Sequence, residues 1–97
     1  MNKNSDFLQR LEQVIAARRA ASPDSSYTAS LLASGRQRIA QKVGEEGVEL
    51  ALACVGDDRE RVVAETADLL YHVLVLLAAR DVSLNEVLEE LERRHQR

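Results

Sequence analysis

The sequence predicts an all-α protein, an antiparallel four-helix bundle-like domain completed by dimerisation. Three observations carry this expectation. One Pro and four Gly interrupt a chain otherwise rich in Ala, Leu, Val, Glu and Arg, a composition that favours helix over strand. Apolar residues recur at helical spacing in several segments separated by short breaks. At 97 residues, a single domain spanning 1–97 is expected. A domain of that size buries only about 60–65% of the surface its unfolded chain exposes. A second copy would extend so small a core.

The first helix is expected from about Ser5 to Ala20, where Phe7, Leu8, Leu11, Val14 and Ile15 form one apolar stripe. Ala21 to Tyr27 contains Ser22-Pro23-Asp24-Ser25-Ser26 and reads as a loop. Thr28 to Leu32 reads as a short helical turn ending near Gly35. A second helix runs from about Arg36 to Val55, until Gly56-Asp57-Asp58 breaks the pattern. Asp57 and Glu60 have capping-box spacing for a third helix, from about Asp58 to Arg80. Asp81-Val82 is a short connection. Ser83 and Glu86 form another capping box, opening a last helix to about Arg94. Connections this short place successive helices antiparallel.

Composition excludes several functions. A net charge of -3 offers no broad basic field to nucleic acid, and 3% aromatic residues are too few for base stacking. The longest apolar stretch, Leu69 to Ala79, contains His72 and is shorter than the ~20 residues that span a bilayer, so no membrane partner is expected. The N-terminal MNKNSDFLQRLEQ lacks the apolar core of a signal peptide. A single cysteine, Cys54, cannot form an internal disulfide and suits a reducing compartment. The expected location is therefore the cytoplasm. No GxxxxGK[ST] or GxGxxG loop is present to cradle phosphate.

Five carboxylates stand out against this frame. On the second helix, Ile39, Val43 and Leu50 define the main apolar stripe, and Glu46 falls within it. Glu49 lies about 60° to one side of Glu46, and Glu45 about 40° beyond that. Arg38 and Lys42 share this sector. The third helix is apolar on almost every side, as expected of a buried helix. Only Glu65, Asp68 and His72 cut a polar stripe through it, at i, i+3 and i+7. Packed antiparallel, the two helices bring Glu46 and Glu49 to face Glu65 and Asp68. Burying unpaired carboxylates together is costly. A hard cation with oxygen ligands, Mg2+ above all, removes that conflict.

Plainer readings stand beside this one. Glu-rich helical segments are usually solvated, and Lys42 with Glu46 has the spacing of an ordinary i, i+4 ion pair. A lone histidine on an apolar helix, such as His72, is more often a satisfied core residue. A di-iron site would need Glu-x-x-His on two helices; the one such spacing, Glu92 to His95, lies in a charged tail. No Cys/His cluster supports zinc.

The pattern Glu45-Glu46-Gly47-Val48-Glu49, followed by Glu65-Thr66-Ala67-Asp68, resembles the all-α nucleoside triphosphate pyrophosphohydrolase superfamily. Ser26-Tyr27-Thr28, then Leu31-Leu32 and Gly35, then IAQKVGEE, then ADLLYHVLVLL, is similar to one branch. That branch is the phosphoribosyl-ATP pyrophosphohydrolase family of histidine biosynthesis, and the resemblance covers roughly residues 7 to 94. It implies Mg2+-dependent hydrolysis of phosphoribosyl-ATP to phosphoribosyl-AMP and pyrophosphate, by at least a homodimer. It also implies that Glu46, Glu49, Glu65 and Asp68 hold the metal. Glu45 would stand behind them or orient the attacking water, in a catalytic set with Glu46 and Glu49. Gly47 departs from the good helix former expected there, and close packing against a neighbouring backbone would explain it. A cyclohydrolase segment, the next activity of the pathway, is not expected within 97 residues.

Cationic and hydroxyl groups would complete the substrate site. Lys42 is the best placed and Arg38 a weaker candidate. Ser26, Tyr27 and Thr28, in a loop, would reach ribose or phosphate; Tyr27 would equally serve as an apolar plug. His72 would bond a ligand carboxylate or a phosphate. Tyr71 is expected to pack. Two other functions fit the same chain: a house-cleaning pyrophosphohydrolase of non-standard or deoxy nucleoside triphosphates, and a non-catalytic helical dimerisation module.

Overall fold

In the computed structural model, residues 6–96 are described. They form five α-helices and two 3-10 turns: α1 (Phe7–Ala17), α2 (Tyr27–Ala33), α3 (Arg36–Val55), α4 (Arg59–Ala79) and α5 (Leu84–His95), with turns at Arg18–Ala20 and Pro23–Ser25. The all-α expectation holds, and no strand occurs among the described residues. The expected start of the first helix at Ser5 lies outside them.

Local chemistry sets the boundaries. α1 tightens into the Arg18–Ala20 turn instead of continuing as α-helix to Ala20. The segment read as a loop folds into a turn at Pro23, with Ser22 accepting from the Asp24 amide. Ser26 then caps α2, its Oγ accepting from the Ala29 amide at 3.0 Å. Tyr27 is therefore the first residue of a helix and not part of the loop, and Thr28 follows it in the helical turn expected from Thr28 to Leu32. α3 begins after Gly35, whose φ of 93° is a conformation that L side chains rarely adopt. α4 is capped one residue later than expected. Asp58, with extended backbone, accepts from the Arg61 amide at 3.1 Å, so Asp57 and Glu60 form no box. The Ser83–Glu86 box is present as expected, with both reciprocal bonds made.

α4 ends in a Schellman motif. The Val82 amide donates to the Leu77 carbonyl at 2.9 Å and the Asp81 amide to the Ala78 carbonyl at 3.2 Å. The left-handed position is held by Asp81, at φ 62°. Asp81 is tied to Arg19 at 2.6 Å. That ion pair offsets part of the conformational cost a glycine would avoid.

α3 and α4 form an antiparallel hairpin, the main packing unit. α1 lies against α4, and α2 touches both α3 and α4. Ile15, Leu31, Ile39, Leu74, Val75 and Leu84 make the core. α5 enters it through Leu84, whose amide donates to Glu12 at 2.6 Å; Leu88 and Leu91 beyond it are exposed. Length and composition alone would let α4 cross a membrane, yet it packs on α3 and α1 and carries Glu65 and Asp68. Gly44 and Gly47 have open space where a Cβ would stand. The close backbone packing expected at Gly47 is absent within this chain.

Candidate metal centre

Helix periodicity places Lys42, Glu46 and Glu49 along one side of α3, and the hairpin sets that side against Glu65 of α4. Carboxylate oxygens of Glu46, Glu49 and Glu65 all lie within 4.8 Å of one another. Glu46 is buried, Glu65 half-buried and Glu49 exposed. The group is thus rooted in the core and opens toward solvent. Asp68 sits one turn further along α4; it is exposed, and its carboxylate stands outside the 4.8 Å set.

Two cations border the group. Lys42 Nζ is 3.8 Å from Glu46 Oε2, and Arg61 Nε is 3.9 Å from Glu65 Oε2. Both are long ion pairs, and two cations against three carboxylates leave the group net negative. The effect is visible at Glu65. Burial first, then the Glu49, Glu46 and Asp68 carboxylates, push its carboxyl above the ordinary 4.5, while Arg61 pulls it back. Three anionic oxygen donors with no histidine or cysteine among them suit a hard divalent cation and not a softer metal.

The remaining sequence-derived candidates divide in two. Glu45 is exposed, accepts from Gln41 Nε2 at 3.1 Å, and lines a shallow groove with Gln41, Gly44, Val48 and Glu49. It therefore neighbours the carboxylate group without belonging to it. Arg38 is exposed on α3, two turns before Glu46.

Ser26, Tyr27, Thr28 and His72 form a separate constellation. His72 is buried, with Nδ1 2.8 Å from the Asp68 main-chain carbonyl and Nε2 3.1 Å from the Tyr27 hydroxyl. Thr28 Oγ1 bonds the Tyr71 hydroxyl. Both ring nitrogens of His72 are engaged within the chain, so contact with a phosphate would have to replace one of these bonds. Tyr71 packs against the core as expected and also makes this polar contact. Arg61 and Gln41 were not singled out from sequence. Their i, i+4 spacing to Glu65 and Glu45 was the available signal.

Comparison with known proteins identifies the family. The family described as phosphoribosyl-ATP pyrophosphohydrolase matches residues 8–95. The histidine biosynthesis bifunctional protein HisIE of Vibrio vulnificus (strain YJ016) is 57% identical over 89 residues, which is 92% of this chain and 42% of that protein. The protein of the same name from Shigella sonnei (strain Ss046) is 57% identical over 90 residues, 93% of this chain and 44% of that one. That of Vibrio cholerae serotype O1 is 55% identical over 89 residues, 92% of this chain and 42% of its own length. The chain thus spans less than half the length of these curated relatives. With residues 8–95 matched from α1 to the end of α5, the chain belongs to the phosphoribosyl-ATP pyrophosphohydrolase family.

Proposed function

We propose that this chain hydrolyses phosphoribosyl-ATP to phosphoribosyl-AMP and pyrophosphate in histidine biosynthesis, with Mg2+ bound and water attacking at the α/β phosphate linkage. One observation carries the reading: Glu46, Glu49 and Glu65 converge from two helices to within 4.8 Å, in a member of this family. When bound, Mg2+ neutralises polyphosphate charge and makes a coordinated water more acidic.

Glu46, Glu49 and Glu65 are the proposed ligands, with Asp68 as a fourth, reached from the next turn of α4. Glu45 lies in the groove beside Glu49, suitably placed to orient the attacking water or take its proton. Lys42, held loosely by Glu46, is the proposed phosphate contact. Arg38 and Ser26 are assigned to outer phosphate or ribose. Tyr27, Thr28 and His72 are assigned to the adjoining wall, through the internal bonds already described. Without a cation, this acidic group repels a triphosphate.

A homodimer or larger assembly is proposed as the working form. Val48, Leu52 and Val55 of α3, and Val63 and Leu70 of α4, are exposed on the helices that carry the carboxylates. Cys54 is a free, exposed thiol, in keeping with a cytoplasmic location.

The test is Mg2+-dependent pyrophosphate release from phosphoribosyl-ATP, with dUTP, dCTP and ATP in parallel. Release from phosphoribosyl-ATP alone is expected. Release only from the other nucleotides would reassign the chain to nucleotide house-cleaning. Silence on all four, from folded protein with Mg2+ present, would leave a helical interaction module.

A further inference from the structure

We infer that the first turn of α2 is a brace holding the ligand-bearing part of α4 in register, with Tyr27 and His72 as positioning residues. The inference rests on the metal-centre reading above and adds two residues that touch neither metal nor reacting atoms.

The hydrogen-bond directions are fixed by chemistry. A carbonyl oxygen only accepts, so His72 Nδ1, 2.8 Å from the Asp68 carbonyl, carries the hydrogen. In the neutral ring Nε2 then offers a lone pair, and the Tyr27 hydroxyl at 3.1 Å donates to it. A directed chain thus runs from Tyr27 through His72 to the main chain of Asp68. Beside it, Thr28 bonds Tyr71. Two consecutive residues of α2 therefore grip two consecutive residues of α4. The Tyr71 and His72 rings pack edge to face at 4.9 Å, and Tyr27 lies stacked 6.2 Å from Tyr71.

The gripping residues are themselves fixed. Ser26 caps α2, and Ser30 Oγ donates to the Tyr27 carbonyl at 2.8 Å. His72 follows Asp68 by one helical turn and Glu65 by about two. Glu46 and Glu49 on α3 face Glu65 on α4, and like charges push those helices apart. α2 touches both helices. It is therefore placed to oppose that splaying and keep the oxygen cage assembled before a cation arrives.

The test titrates Mg2+ against Tyr27→Phe, His72→Asn and the double variant. Two readouts are used: the rise in melting temperature, and pyrophosphate release from phosphoribosyl-ATP. In His72→Asn the amide nitrogen stands where Nδ1 stands, so the bond to the Asp68 carbonyl is kept and the link to Tyr27 is lost. The half-effect Mg2+ concentration should rise about two- to tenfold in each single variant, the worth of one net hydrogen bond. The double variant should be no worse than the weaker single, because both break the same chain.

A variant that melts lower without metal but keeps the wild-type Mg2+ midpoint would overturn the brace in favour of a merely structural contact. A raised KM with an unmoved midpoint would overturn it in favour of substrate contact by Tyr27. A wild-type protein with no Mg2+ response in either readout would overturn the metal centre itself, and the brace with it. Should Tyr27→Phe fail to fold, His72→Asn tests the same link alone.

Discussion

Glu65 shows most directly what the carboxylate group does to this protein. Its carboxyl is held above 4.5, by burial and then by Glu49, Glu46 and Asp68. A carboxyl that binds its proton more tightly folded than unfolded favours folding at low pH, and that contribution is lost as pH rises through the folded value. Metal-free Glu65→Gln should therefore melt with the wild type near pH 4 and above it at pH 7. Adding Mg2+ should raise the wild-type melting temperature and leave the variant behind, since ligand binding to the native state stabilises by mass action. Calorimetry at the two pH values, with and without Mg2+, checks both signs. Gly47 gives a second residue-scale prediction. Nothing lies within 4 Å of a Cβ added there. Gly47→Ala should stabilise the chain by about 1 kcal/mol, the usual difference in a helix interior, and urea melts would measure it. A loss of stability instead would mean that a second copy packs at that spot.

At the scale of the element, the end caps were only partly legible. Ser83-x-x-Glu86 is a reciprocal box, and both of its bonds form. The Ser83 main-chain and side-chain bonds hold the Glu86 carboxyl below its ordinary value, so this contribution is present above pH 4.5 and fades as acid protonates the group. Ser83→Ala should cost about 1 kcal/mol at neutral pH, a fall of several degrees in melting temperature for a domain of this size. The difference should shrink toward pH 3. Asp57 and Glu60 offered the same spacing, but Asp58 took the cap because its backbone is the extended one at the boundary. Spacing alone does not say which of two adjacent aspartates leaves the helix. The Schellman ending at Asp81 was hidden for a similar reason. Sequence signals for that motif rest on glycine, and here an aspartate fills the left-handed position with Arg19 as its partner.

For the whole molecule, the question is what covers its apolar surface. The chain exposes 7099 Å², where a compact monomer of 10.8 kDa would expose about 5500 Å². Leu52 at 62%, Val55 at 85% and Val63 at 64% are far more exposed than is usual for such residues in a self-sufficient helix pair. The excess lies in the range that the larger, obligate homodimer interfaces remove from each partner, about 1,000–2,500 Å². Light scattering in solution should return at least twice the chain mass. Leu52→Glu together with Val63→Glu should lower it to one chain, since charges buried at an apolar contact are strongly unfavourable. A mass of one chain for the unaltered protein would remove the proposed dimer.

Sequence alone determined the all-α class and singled out the carboxylates of α3 and α4 as candidates. Helical spacing, few breakers and capping residues act locally, so α3 was legible end to end, and Glu46 within its apolar stripe already announced a buried charge. Glu65 stood out for the same reason. What tertiary structure decided was distance. Only the α3–α4 hairpin could bring Glu46, Glu49 and Glu65 within 4.8 Å while leaving Asp68 outside that set, because helix register across an interface depends on packing that no single helix encodes. Tertiary structure also turned His72 and Tyr27 toward each other from residues 45 apart in the chain. A wheel can place His72 on a polar stripe. Only the fold shows that α2 arrives there with a hydroxyl to donate.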